Sequence, residues 1–248
     1  MRAISVIGTS KTGKTTTIEG IIQELTKRGY SVGSIKEIHF HAFKMDIEGT
    51  NTDRHKKAGA TLVTARGDSE TDILFQEKLS INEILSFYDH DFVIMEGVRD
   101  APVPKIVTAS SIEAIEDRFD ETVFAISGVV SEKITEYKSL PAINALTHIK
   151  ELVDLIEEKS FPLLPAMKDE CCMTCGYTCE EFCGRILKGL SKREDCVLSK
   201  SGISLKIGGK DITMVPFVQK IIQNTLEALV KELDGYTKDG DIEICIKK

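Results

Sequence analysis

No apolar run in the 248 residues is long enough to span a bilayer, which excludes a membrane-spanning helix. The opening residues, Met1 to Gly8, are too short and too soon interrupted for a secretory signal, so a cytoplasmic protein with reduced thiols is expected. Positive charge is not in excess either. The 32 Lys and Arg against 39 Asp and Glu leave a net charge of −7, a field that does not favour nonspecific nucleic-acid binding. Internal repeats and low-complexity tracts are lacking as well. What remains is a composition of 42% apolar and 29% charged residues, enough for one large domain or a domain with a smaller module. Seven cysteines in a reducing compartment point to metal ligation or redox chemistry rather than structural disulfides.

Residues 1–160 alternate strand-like and helix-like patterns. Strands are expected at Arg2–Ile7, Tyr30–Lys36, Thr61–Ala65, Phe92–Met95, Lys105–Thr108 and Val123–Ile126. Helices are expected at Lys14–Arg28, near Asp53–Gly59 and Ile81–Tyr88, and at Leu146–Lys159. Such alternation favours an α/β domain with a mostly parallel sheet covered by helices. "SFPLLPAMKDE" carries two prolines in four residues and reads as a linker over 161–170. A cysteine-rich module follows at 171–198. The remainder, 199–248, reads as a ββαβ unit: a hairpin around Gly208–Gly209, a helix opening at Pro216 and closed by Gly235, and a last alternating strand, "DIEICIK".

Gly8-Thr9-Ser10-Lys11-Thr12-Gly13-Lys14-Thr15 matches the phosphate-loop pattern G-x-x-x-x-G-K-[ST], with a strand before it and an amphipathic helix after it. The glycines let the backbone wrap phosphates, and successive N–H groups with the helix N-terminus supply the positive field, a cradle that extends to Thr16. Lys14 would reach the terminal phosphates, and Thr15 would ligate magnesium through its hydroxyl. Lys11 either adds charge near the phosphates or is a solvated side chain at the loop tip. A second carboxylate is needed at the end of a hydrophobic strand, and "DFVIMEG" supplies Glu96, placed to bind magnesium-bound water or orient a water molecule. Asp91 begins the same strand and belongs at the opposite end of the sheet.

Three further segments accompany the loop: "IKEIHFHAFKMDIEGTNTDRHKKAGA", "TLVTARG" and "VIMEGVRDAPVPKIV". Together over residues 1–160 they resemble the MobB family, GTP-binding accessory proteins of molybdenum cofactor biosynthesis. On that resemblance Lys36, His39, Asp46, Gly49, Thr52, Arg54 and the Ala58-Gly59-Ala60 turn match the family's pattern after the second strand, while Asn51 stands where the family often has Asp. The resemblance implies a homodimer that binds GTP with Mg2+ and hydrolyses it slowly at best. Its partner would be a MobA-like nucleotidyltransferase, assisting attachment of GMP to molybdopterin, or a molybdoenzyme receiving the finished cofactor. The sequence contains no N-K-x-D motif, so guanine preference rests on the resemblance alone. Physically, the Lys, His, Asp and Arg of residues 36–54 suit a phosphorylated or anionic ligand.

Five of the seven cysteines fall in "CCMTCGYTCEEFC", residues 171–183. Cys172-x2-Cys175 is a chelating pair; Cys179 follows after three residues and Cys196 after sixteen more. This arrangement resembles the small 4Fe–4S module of RnfB and of the corrinoid protein of CO dehydrogenase/acetyl-CoA synthase, departing by one residue in the spacing before the third cysteine. On that resemblance Cys172, Cys175, Cys179 and Cys196 are the ligands, and Cys183 takes a small, packed helix position. A four-thiolate Zn2+ site is the alternative. The sequence therefore carries two functional readings: a GTP-binding accessory protein of molybdenum or tungsten cofactor synthesis with an appended 4Fe–4S cluster, or a nucleotide-gated iron–sulfur electron carrier or metallocluster scaffold outside that pathway. A small-molecule kinase would need an arginine-bearing lid, which the sequence does not show.

Overall fold

A computed structural model of the chain describes residues 1–39, 46–164, 173, 175–198, 203, 205–208, 210–212, 214, 216–237 and 242–244. The elements in chain order are β1 (Arg2–Gly8), α1 (Lys14–Lys27), β2 (Val32–Lys36), α2 (Asn51–Lys57), β3 (Leu62–Arg66), β4 (Thr71–Phe75), α3 (Ile81–Leu85), β5 (Phe92–Glu96) and β6 (Lys105–Thr108). They continue with α4 (Ile112–Glu116), β7 (Val123–Ser127), β8 (Glu136–Tyr137), β9 (Leu140–Pro141), α5 (Ile149–Lys159), α6 (Cys179–Leu187), β10 (Lys206–Ile207), β11 (Lys210–Asp211) and α7 (Pro216–Val230).

β2-β5-β1-β6-β7 form one sheet, and every pairing in it is parallel. The near-continuous apolar runs of β1, β5, β6 and β7 are what a parallel sheet covered on both faces requires. Alternate residues divide between the faces. Ile4, Val6, Phe92, Ile94 and Ile106 pack against Ile18, Ile21 and Leu25 of α1 and Leu152, Val153 and Ile156 of α5. Ala3, Val93 and Met95 pack against Leu85 of α3 and the Val98–Val103 turn. Arg28 fastens α1 to α5, pairing with Glu24, with Asp154 at 2.6 Å and with Glu157 at 2.5 Å.

All six strands expected in the first 160 residues are present, each within two residues of its expected bounds. β4 was not expected: it pairs antiparallel with β3 as a hairpin apart from the main sheet, and its Ile73 is exposed on it. With little burial there is no periodic apolar signal to read.

The segment expected to be a linker starts as packed structure. Phe161 and Leu164 are buried, Pro162 bridges Arg2, and Arg193 donates to the carbonyls of Pro162 and Leu163. The hairpin expected around Gly208 is present as β10–β11, and α7 starts at Pro216 as expected. The last expected strand falls on 241–247; only 242–244 are described, and these are not in a strand. Among the described residues no helix is long and apolar enough to cross a membrane.

Candidate functional site

In a parallel sheet, ligands gather where the strands' carboxyl ends open. Gly8 ends β1 there, and the loop Thr9–Gly13 leads into α1. α1 begins on Gly13 at φ 92° with no side chain capping it, so its first N–H groups are left for a ligand. The loop is held from below: the Thr12 hydroxyl bonds Thr9 O at 2.9 Å and meets the buried Thr108 hydroxyl at 3.0 Å. Lys14 Nζ rests on the carbonyls of Gly8, at 2.9 Å, and Thr9. Partial burial depresses the Lys14 pKa; Glu96 opposes that, while Lys36 and Arg118 add to it. Lys14, Lys36 and Arg118 thus set three cations against Glu96 at this end of the sheet, a charge balance a triphosphate would favour.

Glu96 ends β5, the strand beside β1, level with Val6 and with Lys36 of β2. Its Oε1 lies 3.3 Å from the Thr15 hydroxyl and 3.3 Å from Lys36 Nζ. Two oxygens on adjacent corners of a Mg2+ octahedron, each at about 2.1 Å from the ion, stand roughly 3 Å apart. The Thr15–Glu96 pair is therefore spaced to share one magnesium shell, directly or through water. Lys36, 59% exposed, is better placed to meet a phosphate than to stabilise the fold through its ion pair with Glu96. His39 approaches the same strand end: a Cβ built on Gly97 would stand 3.8 Å from His39 Nε2.

Asp46 and Arg54 are arranged differently. Asp46 accepts from the Thr50 and Thr52 hydroxyls at 2.9 Å each and pairs with Lys56 at 2.6 Å. The Lys56 ammonium holds the Asp46 carboxyl well down, at about 2, against the opposing effect of burial. These bonds stitch the chain entering α2, whose own cap is Thr50. Asp46 lines a 730 Å³ cavity with Asp53, Lys56, Lys57 and β4. Arg54 is exposed on α2, and neither residue bonds the phosphate loop. Asp91 lies at the far end of β5, accepting from the Ser31 N–H and hydroxyl at 2.8 Å each. Arg118, beyond α4, was not singled out from the sequence. It is felt by Lys14 only because the chain folds back after β6, and no local motif marks it.

Of the four expected cluster ligands, Cys172 lies outside the described residues. Cys175 is half-buried, its Sγ 3.5 Å from Tyr177 O. Cys179 opens α6, whose cap is Thr178 reciprocated by Glu181, and Cys196 is 4% exposed. Cys179 and Cys196 share one apolar cluster with Phe161, Phe182 and the fully buried Cys183. Burial pushes the Cys183 thiol far up, as in a packed cysteine. A thiol-only donor set in an apolar shell suits iron–sulfur or zinc, yet among the described residues no three ligating groups converge.

The cysteine helix docks on the sheet domain. Lys105, 1% exposed at the start of β6, reaches Asp120 at 3.0 Å and Glu180 of α6 at 4.0 Å. Gly184 lies so close to Glu121 that a Cβ there would be 2.8 Å from its carbonyl oxygen.

A family model described as "Molybdopterin guanine dinucleotide synthesis protein B" matches residues 3–131. A protein of Methanocaldococcus jannaschii, named as a molybdopterin-guanine dinucleotide biosynthesis adapter, is 33% identical over 98% of this chain and 97% of its own length. A Bacillus subtilis protein of the same naming is 30% identical over 57% of this chain and 84% of its own. The crystal structure of Bacillus subtilis MobB superposes with a TM-score of 0.54 and 26% identity, covering 67% of this chain and all of that one. The α/β fold with its parallel sheet is thus shared with a solved MobB, while the M. jannaschii alignment runs on through the cysteine-bearing third. The chain belongs to the molybdopterin guanine dinucleotide synthesis protein B family.

Proposed function

We propose that the chain is a GTP-binding adapter of molybdopterin guanine dinucleotide biosynthesis. It would hold GTP·Mg2+ on the Gly8–Thr16 loop, with Lys14 on the terminal phosphates and Thr15 and Glu96 at the magnesium. The observation that carries this reading is the 3.3 Å approach of the Thr15 hydroxyl to Glu96 Oε1, in a chain of this family. Lys36 and His39 border the same strand end and would meet the γ-phosphate or a second anionic ligand. Arg54, exposed on α2, would act on a partner, while Asp46 holds the turn that enters that helix.

The partner class is a MobA-like nucleotidyltransferase or a molybdoenzyme. A homodimer is supported by the β3–β4 hairpin, which stands off the main sheet with Leu62 and Ile73 exposed and Phe75 tilted against the exposed Phe87. The cysteines 172, 175, 179 and 196 would hold a 4Fe–4S cluster, with zinc as the competing metal. Iron and sulfide analysis of anaerobically purified protein separates the two: stoichiometric zinc without a broad band near ~400 nm removes the cluster.

The adapter reading is tested in cells that depend on this chain. Lys14→Ala should abolish loading of molybdenum cofactor into a reporter molybdoenzyme while the protein accumulates normally. Unimpaired loading sinks the reading. A second reading, nucleotide-gated electron transfer, is favoured by one observation: β7 starts beside the Asp120–Thr122 turn that holds Lys105 and ends at Ser127, and the next residue, Gly128, lies against the phosphate loop. A cluster potential that ignores bound nucleotide would remove it.

A further inference from the structure

The nucleotide-binding chain has no N-K-x-D motif, so what reads the base is open. A cavity of 370 Å³ adjoins the phosphate loop on the β7 side, at the lower end of the ~300–1,000 Å³ typical of small-molecule sites. Lys11, Gly13, Thr16 and Thr17 form its loop wall. The opposite walls come from two segments that follow the sheet edge: Gly128–Glu132 after β7, and Asn144–Leu146.

Both segments are fixed to the nucleotide end of the fold. Gly128 has φ 79°, and a Cβ there would lie 2.1 Å from Thr12 O. Val129 N–H then bonds Thr12 O at 3.3 Å, and Val130 N–H bonds Ala109 O at 2.8 Å. On the other side Ala142 bridges Ile126 in parallel, Ile143 N–H bonds Ile126 O, and the Ser127 hydroxyl bonds Ile143 O at 2.7 Å. The Asn144 turn therefore leaves the sheet edge at the same carboxyl end as the phosphate loop.

The donors and acceptors of this cavity are unlike those of an adenine site. Glu132 is its only carboxylate, and among the described residues it makes no hydrogen bond or ion pair. In the Asn144 turn, Leu146 N–H bonds the Asn144 side chain, and Thr147 and His148 N–H bond Asn144 O. That leaves the Ala145 N–H without a protein acceptor among the described residues. Val129, 40% exposed, and Leu146, 73% exposed, add aliphatic surface to the lining.

We propose that this cavity is the nucleobase site, with Glu132 accepting from guanine N1–H and N2–H2 and the Ala145 N–H donating to O6. Resting on the GTP reading above, the assignment names the residues that give it base specificity. A carboxylate accepts only, so it matches the two adjacent donors of guanine and repels the lone pair of adenine N1. A backbone N–H matches O6 and opposes the adenine 6-amino group. Lys11 lines the same cavity, which brings the second lysine of the loop into this site.

Calorimetric titration of the full-length protein with Mg·GTP, Mg·ATP and Mg·XTP tests it. The wild type should prefer GTP to ATP by about tenfold or more. Glu132→Gln should bind GTP roughly 10- to 100-fold more weakly. It should gain affinity for XTP, because a Gln amide offers a donor to xanthine O2 beside the acceptor for N1–H. Its ATP affinity should hold or rise, because the carboxylate that repels adenine N1 is gone. A Gln variant that binds GTP normally, or gains nothing for XTP, overturns the assignment. Loss of ATP together with GTP would place Glu132 in loop structure and overturn it too. A wild type that binds GTP and ATP alike overturns the base site but leaves the phosphate loop standing, whereas one that binds no triphosphate overturns both.

Discussion

The phosphate loop and the cysteine segment both look like dense motifs, but they are built on opposite principles. In the loop, the expected ligands come from one continuous strand–turn–helix, and most of them are backbone groups. Eight residues therefore carry nearly the whole geometry, and only Glu96 has to be delivered by another strand. In the cysteine segment, two of the four expected ligands are 24 residues apart (172 to 196), and their meeting depends on how α6 docks on the sheet domain. The loop is local and backbone-built; a cysteine site would be non-local and side-chain-built, and would rest on packing at Phe161, Phe182 and Gly184.

That contrast can be broken at its two closest contacts. Gly128→Ala places a Cβ against Thr12 O at a left-handed φ, where neither backbone can yield. It should destabilise the protein by about 3 kcal/mol or more in denaturant unfolding and abolish triphosphate binding. Gly184→Ala meets the Glu121 carbonyl at 2.8 Å but keeps an ordinary helical backbone. It should loosen the cysteine helix, read as faster hydrogen exchange in α6, while nucleotide affinity stays within about twofold. Equal loss of nucleotide affinity in both would show the two regions to be one unit.

A second pair sharpens the docking. Lys105 is 1% exposed, so removing its near partner leaves a buried charge uncompensated. Asp120→Ala should cost roughly 3 kcal/mol, whereas Glu180→Ala, losing an exposed group at 4.0 Å, should cost about 0–1 kcal/mol by the same unfolding measurement. Beyond α4, Arg118→Ala should weaken GTP by about two- to threefold with folding unchanged, because its charge adds to the potential at Lys14.

The smallest effect concerns acid. Asp46 is held at about 2 by Lys56, below its ordinary value of 3.8. A depressed folded-state pKa means its stabilisation is present above pH ~4 and lost as the pH falls towards 2. Asp46→Asn should therefore flatten the acid limb of stability against pH between those values and leave the neutral plateau shifted only by the lost ion pair.

What could be read in advance followed the same division. The five strands of the parallel sheet were legible because each is a short apolar run bounded by turn residues, and Lys14, Thr15 and Glu96 were legible because pattern and strand end specify them. β4 was not, since its Ile73 faces out and nothing in the chain's own core demands it. Arg118, Glu132 and Ala145 were not, because each reaches the nucleotide end through a chain reversal after β6, β7 or β9. Asp46 was legible as a marked residue, but its partners are Lys56, Thr50 and Thr52 in its own turn rather than the loop.

The measurement that tests the central claim most directly is a calorimetric titration of wild type and Lys14→Ala with Mg·GTP, repeated in EDTA. The account predicts one site per chain in the wild type, about 100-fold weaker binding in Lys14→Ala, and a matching loss when magnesium is removed. Wild-type protein that binds no GTP, or a Lys14→Ala variant that binds it equally well, would contradict the account.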